Sequence, residues 1–166
     1  MIKRILSYMN KEDKEILSTP SEEVNENDNI SELIQNLKET LLNSEGTSGV
    51  GLSAVQIGIL KRVCIIFYSG KELVLINPKI IWARNGPHSE KQFEEGCMSV
   101  PGFSAKISRP QKVICEYTDL NGELKQIGDG GWMSAIIQHE LDHMNGISKL
   151  YELVKEYIQN ENEEKQ

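Results

Sequence analysis

Hydrophobic residues recur at helical spacing between residues 29 and 42. They lie three or four positions apart, which places them on one face of an α-helix: Ile30, Leu33, Ile34, Leu37, Leu41 and Leu42. Asn29 and Glu32 have the spacing of a capping box at the start of such a helix. The pattern predicts an amphipathic helix that stops near Gly46.

Apolar runs with strand character occupy the middle of the chain. Ser69-Gly70-Lys71 supplies a turn between two of them, Pro78 precedes a third, and Asn121-Gly122 has the sequence of a tight hairpin turn. The predicted strands are residues 63–68, 72–76, 79–83, 112–117 and 124–127. Strands joined in this way predict an antiparallel meander.

A second helix is predicted to open at Gly130 and Gly131 and to include Met144, and it is apolar on nearly every side. One side carries Met133, Ile137, Leu141 and Met144. Trp132 and Ile136 share the opposite stripe with two histidines. Such a helix is buried, so we expect it to be the central helix of the fold. Asp129 is a candidate N-cap, and Asn145-Gly146 suit the end of the helix.

The two ends of the chain are polar. Residues 1–28 are expected to form an N-terminal arm with one short helix from Asn10 to Leu17. A last amphipathic helix is predicted from Leu150, Leu153, Val154, Tyr157 and Ile158. The charged tail, residues 160–166, is expected to fray. No repeat or internal boundary divides the sequence, so we expect a single domain spanning residues 1–166.

Composition narrows the class of protein. The chain has 166 residues, of which 39% are hydrophobic and 26% charged, and this balance is typical of a globular domain that needs no disulfide. The net charge of −7 argues against a nucleic-acid-binding surface over most of the fold. No apolar run is long enough to span a bilayer, and no apolar signal segment follows the first residues. The expected location is the cytoplasm, where three cysteines at irregular spacing favour a metal or catalytic role over disulfides.

The segment His139-Glu140-Leu141-Asp142-His143 carries the clearest chemistry. Residues four apart lie one turn above each other, so both histidines can bind one metal ion with Glu140 beside them. The alternative is a pair of structural histidines in the core, but the presence of all three residues at this spacing favours a metal. A catalytic site needs a third protein ligand.

Several residues are candidates for the third ligand. Lys149 stands at the ligand position of one related motif, but an ammonium has no lone pair to offer. The weaker candidates are His88 in a loop, Cys64 and Cys115 in apolar strands, and Glu152, Glu156 and Glu161 on the last helix. Cys97 is favoured moderately, because it follows a glycine in a loop and a site with two histidines and one cysteine is known for divalent metals.

Three segments together resemble the peptide deformylase family, whose patterns are GxGLAAxQ, EGCxS and HExDHxxG. This sequence reads GVGLSAVQ over residues 49–56, EGCMS over residues 95–99 and HELDHMNG over residues 139–146. The segments occur in order at suitable separations and cover residues 49–146. Jointly they are very specific.

The resemblance implies an α+β fold in which antiparallel β-sheets pack around a central buried helix that carries the HExxH motif. It also implies an enzyme that removes the N-formyl group from the formyl-methionine of nascent polypeptides and releases formate. Carried over by motif, Cys97, His139 and His143 bind one divalent metal ion, Fe²⁺ in many members, which Zn²⁺ or Ni²⁺ can replace. The implied partners are formyl-methionyl peptides and, transiently, the ribosome; we expect a monomer without a membrane or nucleic-acid site.

The hydrolysis assigns roles to further residues. Glu140 is expected to accept a proton and pass it to the departing amine. The side-chain amide of Gln56 and the backbone N–H of Met98 are expected to donate to the developing oxyanion. Gly51 permits close approach of an extended substrate. Val50 and Ile136 are candidate walls for the methionine side chain, although both suit a plain core equally well.

The sequence departs from the family pattern at three positions. Ser53 stands where alanine is usual and Met98 where leucine is usual. Some members carry a peptide-binding arginine about seven residues after the cysteine, where this chain has Ser104. Whether Arg109 takes over that role is left open.

Other functions compete with this interpretation. The segment at residues 49–54 also satisfies a dinucleotide-binding pattern, but a helix precedes it and no βαβ unit surrounds it. An ordinary HExxH endopeptidase would need no formyl group. A protein that keeps the metal as a structural clamp would need neither Glu140 nor Gln56, so their presence argues against it.

Overall fold

The computed structural model describes residues 1–44 and 49–163, with side chains up to residue 157. Within these ranges the α-helices are α1 (Lys11–Leu17), α2 (Ile30–Leu42), α3 (Gly131–Met144) and α4 (Lys149–Glu163), and Ala54–Ile57 form one turn of 3-10 helix. Gly46, near which the second helix was expected to stop, lies outside the described residues. The side chains of the predicted tail at residues 160–166 also lie outside them. No helix within the described ranges is long and apolar enough to cross a membrane.

Two antiparallel sheets accompany the helices, which confirms the predicted α+β class with antiparallel sheets. The strands are β1 (Gly51–Ser53), β2 (Val63–Tyr68), β3 (Lys71–Ala83), β4 (Glu90–Gly96), β5 (Ser104–Pro110), β6 (Lys112–Thr118) and β7 (Leu124–Gly130). The larger sheet has the order β1-β2-β3-β6-β7, and the smaller one pairs β4 with β5. The sequence pattern did not predict β4 or β5.

Strand β3 corrects the prediction of two separate strands around Pro78. Its first half pairs with β2 and its second half with β6, so one continuous strand joins both neighbours. The register shifts between Ile76 and Lys79, and Asn77 adopts a φ of 51°. An irregularity of this kind accommodates a proline, which has no N–H for the ladder.

Helix α2 packs on one face of the larger sheet. Its apolar face, with Leu33, Leu37 and Leu41, contacts residues of β1 and β2 that include Leu52 and Ile65. Asn29 is the N-cap, but its side chain makes no capping hydrogen bond and its ψ of 76° is not that of an extended cap. The predicted capping box is therefore not formed.

Helix α3 places its apolar side against the opposite face of the same sheet, because the side chains of β2 and β3 that it packs with alternate with those that α2 packs with. Met133, Ile137, Leu141 and Met144 join a core cluster with Cys64, Ile66, Leu75, Val113 and Cys115. The N-cap is Gly130 rather than Asp129, whose carboxylate accepts from the N–H of Gly130. Gly146 has a φ of 69°, as expected for the residue that stops the helix.

The N-terminal arm lies across the 3-10 turn that follows β1 and the turn between β4 and β5. Leu6 N–H donates to the carbonyl of Gln56, and Tyr8 N–H donates to the carbonyl of Ser99, each at 2.8 Å. Helix α1 starts at Asn10, whose side chain accepts from Asp13 N–H at 3.0 Å. The arm thus links two segments that are far apart in sequence.

Candidate metal centre

Three side chains converge at one end of α3 and form a candidate metal site. Nε2 of His139 lies 3.1 Å from Nε2 of His143, which lies 3.3 Å from Sγ of Cys97. All three donor atoms lie within 4.8 Å of one another. Tetrahedral bonds to nitrogen and sulfur place neighbouring donors about 3.3–3.6 Å apart. The donor set therefore fits a single divalent ion.

Cys97 reaches the site from a tight turn that follows β4. Val100 closes the turn by donating to the carbonyl of Cys97 at 3.0 Å, and it anchors the turn because it is buried among apolar residues. Burial alone would raise the pKa of the Cys97 thiol, but the charges of His143 and His139 and their hydrogen bonds hold that pKa well below its ordinary value. The thiolate form binds metals.

Glu95 orients the first histidine. It is 6% exposed, and its Oε2 accepts from Nδ1 of His139 at 2.9 Å, which leaves Nε2 free to face the other donors. Burial works to raise the pKa of Glu95, yet the hydrogen bonds from Arg109 and His139 lower it. Such contacts behind a ligand fix its tautomer and its direction. The sequence prediction missed Glu95, although its place two residues before Cys97 was a signal.

Tyr151 plays the corresponding part for the second histidine. Its hydroxyl lies 3.1 Å from Nδ1 of His143, and its ring stacks on Tyr8 of the N-terminal arm with centroids 4.1 Å apart. Burial raises the pKa of Tyr151, so the phenol stays neutral. The apolar pattern from which this helix was predicted does not include Tyr151, so it gave no sign of the contact.

Arg109 was left open as a possible peptide-binding arginine, and its surroundings decide this question. It is 1% exposed and donates to both oxygens of Glu95 and, at 2.9 Å, to Asp142 on α3. Its guanidinium is thus engaged inside the protein and does not replace the peptide-binding arginine. Ser104, at the position of that arginine, donates instead to Glu94 at 2.7 Å.

Replacing Arg109 by methionine is expected to lower the free energy of unfolding by about 3–5 kcal/mol, because the change leaves a buried carboxylate without its partner. Urea denaturation followed by tryptophan fluorescence measures the difference. The matched control is Lys79→Met, which removes an exposed partner of Glu116 and should cost about 0–1 kcal/mol. Equal stabilities of the two variants would contradict the assignment.

Glu140 stands beside the three donors with its carboxylate buried. Ser53 Oγ donates to its Oε2 at 2.6 Å. Burial raises the pKa of Glu140, although the charges of His143 and His139 and the Ser53 hydrogen bond act in the opposite direction. A carboxylate whose pKa is raised towards neutrality is suited to accept and return a proton.

Gln56 and Gly51 come from the segment that runs from β1 into the 3-10 helix. Gln56 Oε1 accepts from Ser53 N–H at 2.9 Å, which turns Nε2 towards Ser99 Oγ at 3.2 Å and Cys97 Sγ at 3.4 Å. A Cβ on Gly51 would lie only 2.4 Å from Glu140 Oε1. This close approach requires glycine.

A cavity of about 670 Å³ opens beside the donors. Except for His143, every site residue predicted from the sequence lines this cavity. The lining residues of that set are Val50, Gly51, Gln56, Cys97, Met98, Ile136, His139 and Glu140. Val50 is 39% exposed and Ile136 is 7% exposed. A metal site, a buried carboxylate and an amide donor therefore face one open space, which is the arrangement needed to hydrolyse an amide.

The other candidate ligands lie elsewhere. Cys64 and Cys115 are buried in β2 and β6, and His88 is exposed in a loop. Lys149 donates to a carbonyl of β5. Glu152 and Glu156 are exposed on α4, and the side chain of Glu161 lies outside the described residues.

This chain is similar to known proteins in three kinds of comparison: with a family model, with curated sequences and with solved structures. The family model described as Polypeptide deformylase matches residues 2–157. A peptide deformylase of Finegoldia magna is 37% identical over 161 residues, which cover 93% of this chain and 95% of that protein. Two solved structures are also similar. A peptide deformylase from Legionella pneumophila has a TM-score of 0.78 and 34% identity over 89% of this chain and 83% of its own. The peptide deformylase from Thermotoga maritima has a TM-score of 0.78 and 28% identity, over 89% of this chain and 95% of its own.

Proposed function

Since this chain belongs to the peptide deformylase family, we propose that Cys97, His139 and His143 hold its metal ion and that Glu140 is its general base. The enzyme removes the N-formyl group from nascent peptides. The observation that carries the residue assignment is the meeting of the three donor atoms with Glu140 and Gln56 at one cavity.

The metal supplies Lewis acidity, which activates water and polarises the formyl carbonyl. Glu140 accepts the proton that the attacking water loses and returns it to the nitrogen of the departing methionine, so that a neutral amine leaves. The second water proton stays on the new formic acid, which releases it to solvent and becomes formate. Oε1 is suited to this step because it lies against Gly51 at the cavity, whereas Oε2 is held by Ser53.

Gln56 and Met98 stabilise the negative charge that develops on the formyl oxygen. Nε2 of Gln56 directs one hydrogen at Ser99 Oγ and the other at Cys97 Sγ, 3.4 Å away, and the hydrogen on the sulfur side is the one offered to the substrate. The backbone N–H of Met98 is the second donor. Removing one donor of this kind costs about 10²–10³-fold in kcat.

The methionine side chain enters the same cavity. Val50 and Ile136 are its proposed walls, and Gly51 lets the peptide backbone approach closely. The resident metal is proposed to be Fe²⁺, with Zn²⁺ and Ni²⁺ as functional replacements, because a mixed nitrogen and sulfur donor set accepts all three.

The remaining proposals concern the whole chain. Helix α3 contacts strands of both sheets, which supports its role as the central helix. We take residues 1–166 to be a single domain with an N-terminal arm, residues 1–28. It acts as a monomer in the cytoplasm on peptides emerging from the ribosome, which it contacts transiently, and it uses neither a membrane nor a nucleic-acid site.

Formate release from formyl-Met-Ala-Ser is the direct test. Protein purified without oxygen and loaded with Fe²⁺ or Ni²⁺ should release one formate for each new amino terminus. The release should stop when a chelator removes the metal and return when the metal is restored. Acetyl-Met-Ala-Ser and unformylated peptides are the controls and should remain intact.

Two outcomes would contradict the proposal. Cleavage of internal peptide bonds would indicate an endopeptidase. Absence of formate from folded, metal-loaded protein would leave the metal as a structural clamp. Mass spectrometry of the peptides together with metal analysis of the protein distinguishes these results.

A further inference from the structure

Ser53 stands where the family pattern has alanine, and its hydroxyl reaches the proposed base. Oγ of Ser53 lies 2.6 Å from Oε2 of Glu140, and the two residues are 0% and 3% exposed. A hydroxyl in this position donates to the carboxylate, and hydrogen bonds to an ionised acceptor are stronger than those between neutral groups. We propose that Ser53 is a positioning residue that aims the Glu140 carboxylate at the substrate. The inference rests on the function proposed above.

The two oxygens of Glu140 have different surroundings. Oε2 is fixed by Ser53, whereas Oε1 lies where a side chain on Gly51 would collide with it. Among the residues that the structure describes, Oε1 has no hydrogen-bond partner. Glu140 and Gly51 both line the cavity. The hydrogen bond at Oε2 therefore leaves Oε1 as the oxygen that accepts the proton.

The glutamate does not fix this orientation by itself, because its terminal torsion is broad rather than confined to sharp wells. Ser53 belongs to β1 and holds Oε2 from outside the helix. Without the hydroxyl, the carboxylate can turn about that torsion, and Oε1 leaves the cavity for part of the time.

The hydroxyl and the backbone of Ser53 have separable roles. The backbone N–H holds Oε1 of Gln56 at 2.9 Å and so directs the amide donor of that residue. Replacing the hydroxyl by hydrogen leaves the N–H in place. Ser53→Ala should therefore remove the contact with the Glu140 carboxylate while keeping the hydrogen bond that directs the Gln56 side chain, and it should fold because alanine is the residue of the family pattern.

The experiment measures formate release from formyl-Met-Ala-Ser by the wild type and by Ser53→Ala, each with metal content determined. We expect kcat to fall about ten- to hundredfold, in line with loss of a hydrogen bond to a charged group. KM should stay within about twofold, because the ground-state contacts of the peptide are kept. One equivalent of metal should remain bound.

A double-mutant cycle shows whether Ser53 acts through Glu140. In a Glu140→Gln background, Ser53→Ala should change the residual kcat by less than about twofold, because the base that it positions is gone. The matched control is Ser134→Ala, which removes another buried serine hydroxyl, one bonded to the Pro110 carbonyl at 3.0 Å. This control should leave kcat unchanged.

Three outcomes would overturn the proposal. They are an unchanged or increased kcat in Ser53→Ala, an equal loss of kcat in both backgrounds, and an equal loss of kcat in Ser134→Ala. If Glu140→Gln alone retained full activity, the proposed function of Glu140 would fail first. The two failures are thus distinguishable.

Discussion

Glu140→Gln is expected to lower the kcat of deformylation by about 10²- to 10⁴-fold, the range that a general acid and base contributes. Glutamine keeps the shape of the side chain and can still accept from Ser53 Oγ at the position of Oε2. It cannot take the proton from water or return it to the leaving amine. The loss should therefore appear in kcat, with metal content and thermal unfolding close to those of the wild type.

The measurement is formate release under saturating peptide, with metal analysis of each sample. Glu152→Gln is the matched control, since it removes one carboxylate from the exposed face of α4 and should leave kcat unchanged. A Glu140→Gln enzyme with one bound metal and more than a tenth of the wild-type kcat would show that the proton travels by another group.

Cys97→Ser is expected to weaken metal binding by more than 100-fold. Loss of a residue that merely supports a ligand costs about 10–100-fold in affinity or activity, and Cys97 is a proposed ligand itself. Serine fits the same space, but its hydroxyl stays protonated at neutral pH, whereas the pKa of the Cys97 thiol is lowered by the charges and hydrogen bonds of His143 and His139. Deformylation should fall with the bound metal.

Competition with a chelator of known affinity gives the dissociation constant. Cys115→Ala is the matched control, because it removes a buried thiol of β6 that lies among apolar residues. This variant should keep one equivalent of metal. If Cys97→Ser bound metal as tightly as Cys115→Ala, a different third ligand would have to be sought.

The sequence predicted the elements whose buried residues form either an apolar face at helical spacing or a continuous apolar run. The apolar face of α2 and the continuous apolar run of β2 are of this kind. Strands β4 and β5 escaped prediction because each buries one apolar and one charged side chain. Phe93 and Glu95 point inward from β4, and Ile107 and Arg109 point inward from β5. A buried ion pair removes the alternation on which the prediction depends.

The candidate site divides in a similar way. His139, Glu140 and His143 could be predicted because helical spacing alone brings them together, and Cys97 was reached through its motif. Tyr151 could not be predicted, and Glu95 was missed although it stands in the same motif as Cys97; each contacts a histidine across a tertiary interface. Local spacing carries no record of such contacts.

The hydrogen bonds of the N-terminal arm also bear on the order of events during synthesis. Tyr8 leaves the ribosome among the first residues, but it donates to the carbonyl of Ser99 and stacks on Tyr151. A growing chain that ends before α3 lacks both proposed histidine ligands, His139 and His143. A growing chain that ends before α4 lacks Tyr151, on which Tyr8 stacks. Contacts that span most of a chain form late. The arm therefore docks only when the last helix is present, and each new molecule completes the proposed metal centre only after nearly its whole length has been made.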